Sequence, residues 1–486
     1  MGARGVPCRA WIVVLAVLTA AALLSSGCGG RSATAGPSTR LLSAADLPAG
    51  WTAVPASSPN AQIANAPCLP GPPRNPLGWT YARAGFRLGS PVPTLGEVLA
   101  TGPGVLRSWQ ALDRTVARCR AAALRVGRTE RPAAVLHAAV HPLAFPRGGG
   151  ISSGYTWSYI ITGVTVRLEL VMFRAGRYAG YLTYADVGVP PVPTVRAFVT
   201  AAVAKAEHGS TARVPGTVSI ASTPVRTVHT RLGTVGYRVI GHGPVLLLIN
   251  GFSGTMESWD RLFIDALAQH YRVVIFDNAG IGRTRALPGR LTIDAMANQT
   301  SALIAALRLG RPDVLGWSMG SLIAQALAVL HPAQVRRLIL CASWPGNGTV
   351  VRPSQAAINA TSSSNEQQHM AVMFPAGQAA AQNTFLGSFS AWPAAAPAPA
   401  ATDIAQGQAV AAWWRGTDVA GTKTATIAVP TLIADGAADR LDPLANSHRL
   451  AKLIPGARLA LYPDAGHAFL FQDQAAFLQR IQSFLG

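Results

Sequence analysis

At 486 residues the chain exceeds what one hydrophobic core usually organises, so at least two folded units are expected. Hydrophobic residues make up 49% and charged residues 13%, which excludes a disordered or low-complexity chain. The formal charge of +20 is carried almost wholly by arginine, since only Lys205, Lys423 and Lys452 are lysines. No basic run interleaves with aromatics in the way a nucleic-acid binder requires. The excess is heavier in the first half, which suits an anionic membrane surface or wall polymer.

In chain order, Arg4 and Arg9 precede the apolar run Trp11–Leu24, and Ser25-Ser26-Gly27 lead to Cys28. The run is short for a bilayer span and right for the core of a signal peptide. Small residues before a cysteine, with Gly29-Gly30 and the polar stretch Arg31–Thr39 behind it, resemble a bacterial lipoprotein cleavage site. That resemblance implies a signal peptide over 1–27, lipidation of Cys28, a linker over 28–40 and a place on the outer face of the cell membrane. Simple secretion and an uncleaved anchor are the alternative readings, because Leu24 stands four residues before Cys28 where the lipoprotein pattern has its leucine at three.

Residues 41–210 read as an α+β unit. Apolar spacing predicts a helix over Leu95–Leu124, then strands over Ala134–Phe145, Tyr155–Thr162, Val164–Arg174 and Tyr178–Val187, and a closing helix over Val195–Glu207. Cys68 and Cys119 are a candidate disulfide in an oxidising compartment. His137 and His141 in the first strand read as surface residues rather than ligands. No metal-ligand spacing is present, and the unit carries no catalytic constellation.

The Pro-punctuated stretch Val214–Pro224 reads as a linker. From residue 217 to 486 strands alternate with helices, which predicts a mostly parallel sheet flanked by helices. The strands are Val245–Ile249, Val273–Phe276, Val314–Leu315, Val335–Cys341, Thr431–Ala434 and Arg458–Tyr462. The helices are Trp259–Gln269, Ile293–Leu307, Ser321–Leu330, Leu444–Leu453 and Ala475–Phe484. Cys341 reads as a buried free thiol. Residues 343–426 break the alternation and are too long for a simple connection, so they read as a cap over a site.

Gly316-Trp317-Ser318-Met319-Gly320 joins a buried strand to a helix. A G-x-S-x-G turn there places the serine in a strained conformation, with glycines where neighbouring backbones approach. His467 follows the last strand in Pro463-Asp464-Ala465-Gly466-His467. Asp439 stands three residues after Gly436 in the loop that follows Thr431–Ala434, while Asp435 ends that strand and Asp442, before Pro443, reads as a helix cap. Asn250-Gly251-Phe252 follows the first buried strand, and Asp277-Asn278-Ala279-Gly280-Ile281-Gly282-Arg283-Thr284 follows the second.

These landmarks, in this order, resemble the α/β-hydrolase fold superfamily of serine hydrolase type. The resemblance implies a Ser318–His467–Asp439 triad and an oxyanion hole formed by the backbone N–H groups of Phe252 and Met319. Asn250 stands where the family commonly has histidine, and the Asp277–Thr284 loop replaces an arginine by Ala279 and a serine by Thr284 with a structural role. The implied activity is cleavage of an ester-like bond, of a small molecule or lipid, through an acyl-enzyme without a cofactor or metal; cofactor-free perhydrolase chemistry uses the same triad. The alternative is a non-catalytic envelope sensor or binding lipoprotein that keeps the hydrolase-like domain as a ligand scaffold.

Overall fold

The computed structural model describes residues 36–48, 51–54, 79–88, 94–118, 121–128, 131–143, 150–161, 164–187, 192–211, 214, 219–220, 223–361, 366–389, 392 and 395–486. The leader, Cys28, Cys68 and Cys119 fall outside these residues, and with them the lipidation and disulfide readings. By contacts the chain divides into two compact units. One reaches Val218 and includes Leu386–Pro393; the other holds Ser219–Phe385 and Ala394–Gly486.

The first unit is built on strands β1 (Trp51–Ala53), β2 (Thr80–Leu88), β3 (Thr94–Thr101), β4 (Ala121–Arg128), β5 (Arg131–Pro142), β6 (Ile151–Ile161), β7 (Val164–Ala175) and β8 (Tyr178–Val187), with helices α1 (Val105–Ala117) and α2 (Val192–His208). The sheet order is β1-β2-β3-β8-β7-β6-β5-β4, antiparallel throughout. The helix expected over Leu95–Leu124 is therefore corrected. Only Val105–Ala117 is helical, and Thr94–Thr101 is a central strand between β2 and β8. The leucines at 95 and 99 fit both a helical and an alternate spacing, and two paired strands decide for the sheet. Gly102 and Gly104, at φ 144° and 71°, turn the chain between the two elements. Leu95, Leu99, Phe173 and Leu182 pack with Phe198 and Ala202 of α2 in one buried core. On α1, Trp109 stacks on Tyr181 at 5.9 Å and donates to Gly180 O at 3.0 Å. His141 lies exposed on β5.

In the second unit β9 (Arg226–Thr230) and β10 (Gly233–Ile240) form a hairpin that the sequence reading missed. There follow β11 (Val245–Ile249), α3 (Arg261–Leu267), β12 (Arg272–Phe276), α4 (Ile293–Ala306), β13 (Asp313–Trp317), α5 (Met319–Leu330) and β14 (Leu338–Cys341). The inserted segment carries α6 (Gln355–Thr361), α7 (Glu366–Met373), α8 (Ala379–Ser388), α9 (Ala400–Trp414) and α10 (Val419–Thr422). The chain ends with β15 (Thr431–Gly436), α11 (Ala445–Leu453), β16 (Arg458–Tyr462), α12 (Phe469–Gln472) and α13 (Gln474–Leu485).

The sheet order is β16-β15-β14-β13-β11-β12-β10-β9, parallel from β12 to β16 with β10 and β9 antiparallel at the edge. β11, β13, β14 and β15 are apolar and buried almost end to end, as strands covered on both faces must be. From β11 the chain goes to β12 on one side and later to β13 on the other. The carboxyl ends of β11 and β13 therefore open a crevice at a topological switch point, where open α/β sheets bind ligands.

Candidate active site

Ser318 sits between β13 and α5 at φ 56° and ψ −127°, outside the regions a serine ordinarily occupies. Its N–H donates to Cys341 O at 2.9 Å, and Ser321 Oγ donates to its carbonyl at 2.5 Å. The turn is this tight because two glycines permit it. A Cβ at Gly320 would lie 2.0 Å from Ile249 O, and one at Gly316 would lie 2.3 Å from Gly320 O. Helix and strand thus touch backbone to backbone, and the cost of the strained serine is met by that packing.

His467 follows β16 and is buried. Its Nδ1 is 2.7 Å from Asp439 Oδ2. The other carboxylate oxygen of Asp439 accepts the N–H groups of Leu441 at 2.7 Å and Asp442 at 2.8 Å, so the carboxylate is fixed at both ends. Nδ1 being so engaged leaves Nε2 as the nitrogen free for proton transfer. The two loops meet directly, since a Cβ at Gly436 would lie 2.3 Å from Ala465 O and 2.4 Å from Gly466 O. Trp317 Nε1, on the residue before Ser318, donates to His467 O at 3.0 Å, and the two rings lie 5.7 Å apart. The elbow and the histidine loop are joined by that bond.

On the other side of Ser318 lies Asn250-Gly251-Phe252. A Cβ at Gly251 would stand 3.1 Å from Ser318 Cβ and 3.7 Å from its Oγ, so this loop borders the hydroxyl. Among the described residues no hydrogen bond is donated by Phe252 N or Met319 N, and both are available to an oxyanion. Asn250 is buried and shapes the loop: its Oδ1 accepts Gly251 N–H at 2.7 Å and its Nδ2 donates to Thr255 O at 2.6 Å. Asn278 Nδ2 donates to Asn250 O at 2.9 Å. Asp277 accepts from Met256 N at 2.8 Å and Arg283 N at 3.2 Å, while Thr284 Oγ1 accepts from Gly236 N at 3.0 Å. The 277–284 loop is therefore structural, and threonine supplies the hydroxyl oxygen there. Burial pushes the Asp277 carboxyl up to about 6, against the two backbone donors.

The inserted helices reach both halves of the site. Met373 O, at the end of α7, accepts Ala468 N–H at 3.0 Å beside His467, and Gln406 Oε1 of α9 accepts Ser253 N–H at 2.8 Å beside Phe252. Trp344 stands 6.1 Å from the His467 ring and 5.7 Å from Trp414. Phe252 remains partly exposed at 38%. Trp413, in contrast, is fully buried and donates to Trp344 O at 3.2 Å, so it packs the inserted segment rather than lining a pocket.

The structure thus pairs Asp439 with His467, ties the His467 loop to the Ser318 turn through Trp317, and sets the Asn250–Phe252 loop beside the Ser318 hydroxyl. Gln406, Trp344 and the second role of Asn250 were missed, and nothing in the local sequence marks them. The expected helix cap at Asp442 is corrected: Leu444 flanks α11 with no side-chain cap, and Asp442 Oδ1 instead accepts Asn446 Nδ2 at 2.9 Å. Cys341 is buried and free, with its thiol pushed well up by burial. Among the described residues no group of three His, Cys, Asp or Glu side chains is placed to hold a metal ion.

Fold and site define a hydrolase of the α/β-hydrolase type. Residues 244–365 match the model of the alpha/beta hydrolase fold family. The putative carbamate hydrolase RutD of Pseudomonas savastanoi pv. phaseolicola is 30% identical over 256 residues, covering 50% of this chain and 93% of that protein. An uncharacterised protein of Mycobacterium bovis is 27% identical over 284 residues, covering 54% and 80%. Among solved structures, an alpha/beta hydrolase fold protein from Chitinophaga pinensis is 25% identical with a TM-score of 0.48, covering 55% of this chain and 98% of that one. This chain belongs to the α/β-hydrolase fold family.

Proposed function

We propose that the protein is a serine hydrolase that cleaves an ester-like acyl bond through an acyl-enzyme on Ser318. The observation that carries the reading is the Asp439–His467 pair, 2.7 Å apart and buried, on the loops that flank a serine held at φ 56°. His467 Nε2 takes the Ser318 proton as Oγ attacks the carbonyl carbon. The oxyanion is held by Phe252 and Met319 N–H, each donor of this kind contributing about 3–4 kcal/mol. The imidazolium returns its proton to the departing alkoxide, leaving the acyl group on Oγ. Water, deprotonated by the same nitrogen, then attacks and releases the acid and the free serine. RutD, a putative carbamate hydrolase, extends the candidate substrates to carbamates, whose carbonyl is attacked in the same way.

The test is labelling with a fluorophosphonate probe alongside hydrolysis of a p-nitrophenyl ester series and a p-nitrophenyl carbamate. Labelling and turnover lost together in Ser318→Ala, and absent from heat-denatured protein, support the reading. A folded parent that takes no label and turns over neither series favours the ligand-scaffold alternative.

A further inference from the structure

The turn that carries Asp439 holds two more carboxyls, and neither enters the mechanism above. Asp435, the penultimate residue of β15, and Asp442 are both fully buried. Asp435 Oδ1 accepts Gly436 N–H at 2.8 Å and its Oδ2 accepts Ser447 Oγ–H at 2.7 Å. Asp442 Oδ1 accepts Asn446 Nδ2, and the Ser343 backbone N–H also reaches this carboxyl. Asp442 Oδ2 receives no N–H or hydroxyl from any described neighbour although it is wholly buried. The side chain it interacts with on this turn is the Asp435 carboxyl, and neighbouring residues of α11, Asn446 and Ser447, hold the two acids side by side. Two carboxylates cannot hydrogen-bond each other, because each offers only acceptors. A buried anion pair without a proton between them would also carry a large desolvation cost. One proton on either oxygen removes both difficulties.

We propose that Asp435 and Asp442 share a single proton, forming a buried acid–carboxylate pair that positions the Asp439 turn and holds one negative charge behind the Asp439–His467 couple. This rests on the triad reading given above. The positioning is visible in the bonds. Asp442 donates its own N–H to Asp439 Oδ1, so the pair that fixes residue 442 also fixes the carboxylate that orients His467. The groups facing the pair are Asp439 on the same turn, His467 beyond it and the buried Cys341 thiol of β14. Among the described residues no lysine or arginine forms an ion pair with either acid. Burial first, then repulsion from neighbouring carboxylates, pushes both acids well above the ordinary range, which disfavours the doubly ionised pair.

A shared proton makes an asymmetric forecast. Asp435→Asn or Asp442→Asn alone leaves one carboxylate and one neutral group, so the charge near His467 stays the same. The acid limb of the kcat/KM profile for a p-nitrophenyl ester, which reports the His467 imidazolium, should then stay in place in each single variant whatever the fall in kcat. The Asp435→Asn/Asp442→Asn double variant removes the charge and should move that limb to lower pH by on the order of one unit, the size expected of one nearby charge at an effective dielectric of about 20. If either single substitution moves the limb, the pair was doubly ionised; if the double leaves it in place, the pair carried no charge. Either result overturns the proposal.

Infrared difference spectra of the full-length parent against each single variant at pH 7 supply a readout that needs neither turnover nor the double variant. Each single should lose a protonated-carboxyl stretch, and the loss of none overturns the proposal. Turnover that survives in Ser318→Ala counts against the triad reading alone, and the infrared result still tests whether the pair holds a proton.

Discussion

Replacing Asn250 by alanine tests whether the loop beside Ser318 is held from within. The substitution strips the Gly251 N–H of its acceptor and the Thr255 carbonyl of its donor, both in buried surroundings. A buried polar group left unpaired costs about 1–3 kcal/mol, so the two together cost roughly 2–6 kcal/mol. At a midpoint near 4 kcal/mol and about 2–4 °C per kcal/mol for a domain of this size, the melting temperature should fall by roughly 8–16 °C. A domain of ordinary stability survives that loss and can be assayed. The same change frees the backbone that presents Phe252 N–H. If that donor drifts, the loss approaches that of an oxyanion-hole deletion, roughly 10²–10³ in kcat. Asn250→Asp keeps an acceptor for Gly251 but removes the donor to Thr255. It should lose stability while keeping more of the activity than Asn250→Ala. Thermal unfolding and p-nitrophenyl ester kinetics on the three proteins measure both effects. An Asn250→Ala protein with kcat within twofold of the parent and an unchanged melting point would refute the reasoning.

Two further outcomes follow from the packing and from burial. Gly320→Ala places a methyl 2.0 Å from Ile249 O and 2.6 Å from Asn250 O, where only backbone can yield, so it should cost on the order of 3–5 kcal/mol in urea unfolding; near-parental stability would mean the helix and strand are not in that contact. In the first unit, burial raises Glu97 and Glu169 to about 7. Both acids are then neutral in the folded state over a range in which the unfolded chain ionises them, so their contribution is present at pH values below their ordinary range and is lost as pH rises through about 7. Hydrogen-exchange protection of β3, β7 and β8 should therefore fall between pH 5 and pH 8, and Glu97→Gln with Glu169→Gln should flatten the fall. An unchanged slope in the double variant removes these two acids as its source.

The sequence by itself determined the α/β-hydrolase fold of the second unit and named the candidates for its chemistry, because each rests on local rules. A parallel sheet buried on both faces demands continuous apolar strands, and Val245–Ile249 or Thr431–Ala434 announce themselves. A G-x-S-x-G turn demands small residues at fixed offsets, and the order of serine, acid and histidine marks Ser318, Asp439 and His467, which follow β13, β15 and β16, as candidates. What only the tertiary structure decided was which partner each ambiguous residue meets. Thr94–Thr101 fits a helix by spacing and became a strand because β2 and β8 pair with it on both sides. Asp442 fits a helix cap and instead accepts from the Asn446 side chain, and Asn250 turned out to bind its own loop. Pairing across a sheet and contacts between distant loops depend on which segments are brought together in space, and no window of neighbouring residues carries that information.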